Sequence, residues 1–143
     1  MNLLTAASAV EGRIVGNDVD FERVVTDSRE LSGGELFVAL KGENFDGHEF
    51  VAQAKNSGAV AAMASQELEI DLPTLVVGDT TLSLGRLAAY WRCQFNLPVV
   101  AVTGSNGKTT VREMITSILS EGGPVLSPRA NFNNNIGMPL TLL

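Results

Sequence analysis

The sequence is poor in cysteine, histidine and positive charge. One cysteine, Cys93, occurs in 143 residues, which excludes an intrachain disulfide and, without a Cys/His cluster, a structural zinc site. We interpret Cys93 as a buried, inert packing residue. Ten Lys and Arg against sixteen Asp and Glu give a net charge of -6, which disfavours bulk attraction to nucleic acid or an anionic membrane. Any phosphate binding must therefore be local.

Long hydrophobic runs are also lacking. No apolar run reaches the ~18 residues that a membrane span needs, and the N-terminus lacks the basic start and apolar core of a signal peptide. We therefore expect a cytoplasmic protein. With 45% hydrophobic residues and no internal repeat, the chain is long enough for one core or for a small domain plus part of another.

Short β-rich runs alternate with helix-like segments along the chain. The runs are RVVTD (23–27), ELFVAL (35–40), AVAAMA (59–64), PTLVVG (73–78) and PVVAVTG (98–104). This alternation predicts an α/β fold. The turn-forming GDTT (78–81) follows a strand and precedes a long helical pattern, so it predicts a boundary between units 1–78 and 79–143.

Two apolar stripes at helical spacing predict packed helices between and after these runs. The first ends at Gly58 and comprises Phe50, Val51 and Ala54. The second comprises Leu84, Leu87, Ala88, Trp91 and Phe95. We interpret Trp91, like Cys93, as a packing residue.

The stretch VVAVTGSNGKTT (99–110) has the order strand, glycine-containing loop, helix. This order points backbone N–H groups and the positive end of a helix dipole at one spot where a phosphate can sit. Lys108 would add a mobile cation, and the Thr109 hydroxyl is placed to ligate the Mg²⁺ that accompanies ATP. An apolar face for the following helix is present at Val111, Ile115, Ile118 and Leu119.

The generic phosphate-loop pattern G-x-x-x-x-G-K-[ST] is not met, because its first position is Val102 and the glycine lies at Gly104 instead. By itself the stretch is also compatible with a strand-to-helix turn that carries a solvated lysine.

Three blocks in order resemble the Mur ligase family. The form T-G-x-N-G-K-T (103–109) is similar to its ATP loop, and residues 26–62 resemble the N-terminal domain that holds the UDP end of a cell-wall precursor. NFNNNIGMPLTLL (131–143) resembles the N-x-N-N-x-I-G-x-P segment of the branch that adds D-Ala-D-Ala to a UDP-N-acetylmuramoyl-tripeptide, rather than the corresponding segment of the branch that adds a diamino acid. The resemblance implies a UDP-binding α/β domain followed by the start of a parallel-sheet ATPase domain, inside which the chain stops.

The same resemblance implies the site residues. ATP would be bound by Gly104, Ser105, Asn106, Gly107, Lys108, Thr109 and Thr110, with Lys108 and Thr109 catalytic and Thr109 on Mg²⁺. The UDP-linked substrate would meet Ser28, Arg29, Phe45, Asp46, His48, Asn133 and Asn134. No nucleic-acid or membrane partner is implied.

Structural interpretations of these residues stay open. The TDSRE segment (26–30) can simply close a turn, His48 can cap a helix, and the Asn-rich stretch can form local caps. Phe37 alternates with Leu36 and Val38, which favours the core over stacking on a base. At the level of function, a UDP-sugar-binding module without catalysis and an unrelated phosphate-loop NTPase or kinase are the alternatives.

Overall fold

One five-stranded sheet organises the chain, of which the structure, a computed structural model, describes residues 1–42, 45–128 and 134–143. Its order is β1-β5-β4-β3-β2. Strands β2 to β5 run parallel, and β1 pairs antiparallel with β5. The strands are β1 Arg13–Val15, β2 Arg23–Val25, β3 Glu35–Val38, β4 Ala61–Ala64 and β5 Thr74–Val76. The α/β prediction is confirmed.

Helices precede, connect or follow these strands. They are α1 Leu3–Val10, α2 Val51–Asn56, α3 Thr80–Cys93, α4 Lys108–Ser120 and α5 Gly137–Leu142. Two 3₁₀ helices, Ser28–Glu30 and Gly47–Phe50, follow β2 and β3. Helix α3 begins after Asp79, whose carboxylate accepts from the N–H of Leu82 at 2.8 Å, so the predicted turn at 78–81 forms a helix N-cap.

The sheet is covered on both faces because its central strands are apolar on both sides. In β3, Leu36 and Val38 pack in one core with α1 and α3, whereas Phe37 packs in a second core with Val51 and Ala54 of α2. Strands buried on both faces read as continuous apolar runs, as ELFVAL does. Phe37 is therefore a core residue, as the alternation favoured.

Helix α3 joins the core of the first predicted unit. Its Leu84 and Leu87 are fully buried with the sheet residues, and α5 packs on α3 through a cluster that includes Leu140. The division at 78/79 stays a prediction. This division would separate α3 from the sheet, although Leu84 and Leu87 of α3 belong to the core of that sheet.

The last part of the second stripe differs from prediction. Trp91 is half-buried and makes an edge-to-face contact with the exposed Phe95, their ring centroids 5.2 Å apart. Cys93 is exposed, so its interpretation as a buried residue is wrong. The helix ends at Cys93, and the sheet core it covers has already ended at Ala88, which leaves the last turn without a layer to pack against.

The predicted strand 98–104 is also wrong. These residues form no regular element, and Val99 and Val100 are largely exposed. A strand needs a neighbour to take its hydrogen bonds, and within the described ranges no strand lies beside this segment. The helix predicted after the loop does form as α4, although its apolar face is largely exposed.

In the part of the chain that the structure describes, no helix combines the length and the apolar character needed to cross a membrane.

Candidate functional site

Segments with predicted substrate residues follow the parallel strands. Residues 27–29 follow β2, residues 45–48 follow β3, and Ser65 follows β4. Because the carboxyl ends of parallel strands share one edge of a sheet, these segments are grouped at that edge. Ligands of α/β proteins commonly bind there. The predicted residues at this edge are Ser28, Arg29, Phe45, Asp46 and His48.

Asp27 and Arg29 form a closed pair after β2. The Asp27 carboxylate accepts from the Arg29 backbone N–H at 2.9 Å, from Nε at 2.9 Å and from Nη2 at 2.6 Å. These hydrogen bonds lower the pKa of Asp27 to about 2. The Arg29 side chain is nevertheless 82% exposed, and Ser28 between them is buried. The turn-closing interpretation of this segment is thus realised, while the guanidinium still faces solvent.

Asp46 and His48 form a second pair after β3. Asp46 Oδ1 accepts from the backbone N–H of His48 at 3.0 Å and lies 2.5 Å from its Nδ1. Asp46 Oδ2 lies 3.2 Å from Lys41 Nζ. The hydrogen bonds from His48, followed by that from Lys41, lower the pKa of Asp46 to about 2. Asp46 is therefore a carboxylate at neutral pH, held by both neighbours.

Glycine is required between these two residues. A Cβ on Gly47 would lie 2.7 Å from the carbonyl oxygen of Leu40 and 2.8 Å from its nitrogen, closer than real Cβ atoms come. The Gly47 N–H donates to that same carbonyl at 2.7 Å. The close backbone approach fixes Asp46 and His48 beside the end of β3.

Phe45 stacks on Phe50, with ring centroids 5.4 Å apart and planes at 18°. Its side chain remains 51% exposed. An aromatic face supported from one side and open on the other is suited to stacking on a planar base.

The glycine loop before α4 folds around the lysine. Gly104 and Gly107 have φ of +149° and +77°, which favour glycine, and α4 begins directly at Lys108. Lys108 Nζ donates to the Gly104 carbonyl oxygen at 2.6 Å. The ammonium group is thereby held over the loop, at the N-terminal end of a 13-residue helix.

The first turn of α4 has backbone donors to offer. Gly107 at the N-cap position carries no side chain, and among the described residues none caps this helix end by a side-chain hydrogen bond. Ser105, Asn106, Thr109 and Thr110 are exposed around it. Free N–H groups, a helix dipole and one ammonium at the same place favour an anion.

The Asn-rich block is only partly described. Asn133 lies outside the described residues. Asn134 Oδ1 accepts from the N–H groups of Ile136 at 3.2 Å and Gly137 at 2.7 Å, which begins α5. The side-chain oxygen of Asn134 is thus used locally at the start of α5, and its NH₂ group is what remains for a substrate.

The described residues contain no group of three or more His, Cys, Asp or Glu arranged to hold a metal ion. Mg²⁺ with a nucleotide needs few protein ligands, because phosphates and waters fill most positions. The exposed hydroxyl-bearing Thr109 fits that limited role.

Sequence reasoning missed Lys41 and Ser65. Each follows a strand at the edge formed by the carboxyl ends of β2, β3 and β4, called the substrate edge below, but a single lysine or serine after an apolar run has no distinctive pattern. The one available signal for these two residues was that each follows a run predicted to be a strand.

Comparisons with known proteins agree along the chain. The family model "Mur ligase family, catalytic domain" matches residues 20–116, and "Mur ligase middle domain" matches residues 102–143. The UDP-N-acetylmuramoyl-tripeptide--D-alanyl-D-alanine ligase of Escherichia coli is 52% identical over 134 residues, 94% of this chain and 30% of the relative.

Solved structures give the same result. MurF from Acinetobacter baumannii superposes with a TM-score of 0.89 at 42% identity, covering 97% of this chain and 32% of that one. MurF ligase from Thermotoga maritima, solved in complex with ADP, superposes with a TM-score of 0.77 at 36% identity, covering 85% of this chain and 28% of that one. The chain thus spans about a third of the length of these proteins, and it belongs to the Mur ligase family.

Proposed function

We propose that this chain is the precursor-binding and phosphate-loop part of an ATP-dependent ligase acting in the cytoplasm. The ligase would add D-Ala-D-Ala to UDP-N-acetylmuramoyl-tripeptide in peptidoglycan synthesis. The observation that carries the proposal is the 52% identity to a ligase of that name, maintained over 94% of this chain. Both candidate sites, the substrate edge and the glycine loop, lie within the matched length.

The substrate edge is assigned the UDP end of the precursor. Arg29 has a planar guanidinium able to give two parallel hydrogen bonds to a diphosphate, and its exposure leaves it accessible. Ser28 supplies a hydroxyl beside it. Phe45, supported by Phe50, offers its open face to the uracil ring. Asp46 and His48 belong to the same edge, and Asn133 and Asn134 are assigned to the substrate's other end.

The loop of Gly104, Ser105, Asn106 and Gly107, with Thr110, is assigned the ATP phosphates. Lys108 would exchange its contact with the Gly104 carbonyl for a phosphate oxygen, so the ammonium is already near its place. Thr109 would hold Mg²⁺ through its hydroxyl. The metal, when bound, supplies charge neutralisation at the phosphoryl oxygens.

The reaction needs an activated carboxylate. The carboxylate oxygen of the tripeptide attacks the γ-phosphorus of ATP, ADP leaves, and an acyl phosphate forms. The amine of D-Ala-D-Ala then attacks the acyl carbon, inorganic phosphate leaves with the bonding pair, and the amine loses a proton. Lys108 and the loop N–H groups stabilise the charge that develops on the phosphoryl oxygens.

Two other functions are outcomes of the test. The first is the diamino-acid-adding branch of the family, which the Asn-rich block disfavours by resemblance. The second is a binding module without turnover, which assays of the 143-residue chain itself would test. In contrast, an unrelated phosphate-loop NTPase leaves residues 1–78 without a role.

The test is an assay of a full-length protein that contains this chain. With ATP and Mg²⁺ we expect D-Ala-D-Ala to be joined to the UDP-linked tripeptide. Lys108→Ala should lower kcat by roughly 100-fold or more, the usual effect of removing one electrostatic donor. Addition of a single diamino acid to a dipeptide precursor, without dipeptide addition, would reassign the chain to the other branch.

The division of sites is tested on the 143-residue chain by titration with UDP. Arg29→Ala should weaken UDP more than uridine, because only UDP has the diphosphate. Lys108→Ala is the matched control and should change neither. Loss of UDP binding in Lys108→Ala would show that the nucleotide end of the precursor is not held at the substrate edge.

A further inference from the structure

The His48 imidazole is held at both nitrogens. The backbone N–H of Ser65 donates to Nε2 at 3.0 Å, and Nδ1 lies 2.5 Å from Asp46 Oδ1. A backbone N–H can only donate, so Nε2 must carry a lone pair and the ring proton sits on Nδ1, donated to the carboxylate. The side chain is only 8% exposed. Neither nitrogen is left for a ligand.

Asp46 links the buried His48 to the exposed cation Lys41. Asp46 uses Oδ1 for His48 and Oδ2 for Lys41, whose side chain is 68% exposed. Lys41 and Asp46 also form a backbone bridge, and the Gly42 N–H donates to the carbonyl oxygen of Phe45 at 2.8 Å. Ser65 lies 17 residues beyond His48, so its contact ties the Lys41–Asp46 pair to the end of β4.

We propose that Lys41 contacts the diphosphate of the nucleotide, and that His48 is a positioning residue which acts through Asp46 to hold the Lys41 ammonium at the substrate edge. The role of His48 is then to order a cation and not to touch the ligand. Lys41 follows β3 as Arg29 follows β2, and β2 and β3 are adjacent, so both cations stand at neighbouring strand ends. The inference rests on the proposed function for the identity of the ligand.

The first experiment determines which ring nitrogen of His48 carries the proton in the absence of ligand. His48 is the only histidine of the chain, so nitrogen NMR of histidine-labelled protein reports this ring alone. We expect the Nδ1–H tautomer, with Nε2 unprotonated. On addition of UDP the ring nitrogens should keep their shifts, while the backbone amides of Lys41 and Asp46 move. Two results would overturn the positioning role. One is a proton on Nε2 in the free chain, and the other is a change in the chemical shift of a ring nitrogen on addition of UDP that reports a new hydrogen bond.

Affinity then separates contact from positioning. Lys41→Ala should weaken UDP about tenfold, equivalent to about 1.4 kcal/mol, and leave uridine unchanged. Lys55→Ala is the matched control, because Lys55 lies in the last turn of α2, before β4 begins, and pairs with Asp71. It should change neither ligand. An unchanged UDP affinity in Lys41→Ala, with UDP still bound at the edge, would refute the contact, whereas absence of UDP binding in the wild-type chain would refute the proposed function itself.

A double-mutant cycle tests whether His48 acts through Lys41. His48→Ala should weaken UDP severalfold in the wild-type background and have almost no further effect in Lys41→Ala. His48→Asn keeps an N–H donor near the position of Nδ1, so it should recover part of the loss and serves if His48→Ala does not fold. Equal losses from the His48 substitutions in both backgrounds would mean that His48 does not work through Lys41.

Discussion

Two stretches of this chain carry apolar residues in comparable patterns and pack them differently. In residues 1–93 the strands and α1, α2 and α3 bury their apolar faces in two cores. In residues 95–126 the large apolar side chains are mostly exposed: Phe95, Leu97, Val99, Val100, Val111, Met114, Ile118, Leu119 and Leu126. Helix α4 still forms, because its hydrogen bonds are local, whereas the strand pattern at 98–104 has no neighbour and does not.

The two stretches also hold two different kinds of candidate site. The substrate edge depends on strand ends brought together across the sheet, so it inherits the rigidity of the cores. The phosphate loop is built within one short segment, from Gly104 to Lys108, by glycine conformations and one side-chain hydrogen bond. It therefore takes shape although the helix behind it buries none of its residues.

The largest expected effect comes from removing α3 from the first stretch. A chain of residues 1–78 keeps all five strands but loses Leu84 and Leu87, which are fully buried against them. At about 2–3 kcal/mol for each leucine, the loss approaches roughly 5 kcal/mol, the stability of a small domain. We expect residues 1–78 to be unfolded and residues 1–94 to be folded by circular dichroism and urea titration. Equal urea midpoints for the two chains would show that the boundary at 78/79 is a true domain boundary.

A matched pair of leucines measures the same contrast in single substitutions. Leu87 in α3 is fully buried, and Leu119 in α4 is 48% exposed. Leu87→Ala leaves a cavity and should lower the free energy of unfolding by about 3 kcal/mol. Leu119→Ala should change it by less than about 0.5 kcal/mol. Similar costs at both positions would mean that the apolar face of α4 is covered in solution.

The sequence predicted those elements whose burial depends on their own residues, and it failed for the strand that also needs a neighbouring strand. ELFVAL predicted a strand with Phe37 in the core, and Leu84, Leu87 and Ala88 predicted a core stripe, because burial there needs only the period of the element. Residues 98–104 have an equally apolar pattern, but a strand also needs a partner that the pattern does not contain. The antiparallel β1 and helix α1 were not predicted, since the short RIV run of β1 has little periodicity.

The site was predictable to the extent that it resembles known motifs. Ser28, Arg29, Asp46 and His48 were predicted by resemblance; the structure groups them at one edge, and their contact with a substrate stays a prediction. The hydrogen bonds that set their chemistry were not predictable, because one partner of His48 is Ser65, which follows β4, a different strand from the one that precedes His48. Contacts of this kind depend on strand order, which the sequence alone left open.

The pH dependence of the free energy of unfolding compares a buried carboxylate in the first stretch with an exposed one in the second. Glu35 at the start of β3 is buried, which raises its pKa, but hydrogen bonds from the Ser32 hydroxyl and from the Gly33 and Ser32 N–H groups lower it more, so the net pKa is lowered. A lowered folded-state pKa gives stability that is present above the unfolded value of 4.5 and is lost as the pH falls through the folded value.

Glu35→Gln should therefore cost about 1 kcal/mol at pH 7, the difference between charged and neutral hydrogen bonds, and should reduce the loss of stability on acidification. Glu113→Gln in α4 is the control, because Glu113 is exposed and pairs only with the adjacent Arg112 among the ion pairs of the described residues. It should change stability by less than about 0.5 kcal/mol. Urea unfolding at several pH values measures both, and an unchanged acid profile in Glu35→Gln would contradict the assignment.

The smallest effect is expected at Cys93, where the two stretches meet. It is the last residue of α3 and is exposed, beyond the last turn that the core covers. Cys93→Ser removes no buried contact, so the free energy of unfolding should change by less than about 0.5 kcal/mol. A thiol reagent should also label Cys93 in the native chain at close to the rate found in denaturant, because labelling does not require α3 to leave the sheet. Labelling that occurs only on unfolding would mean that the end of α3 is covered, and the contrast between the two stretches would then begin later in the chain than Cys93.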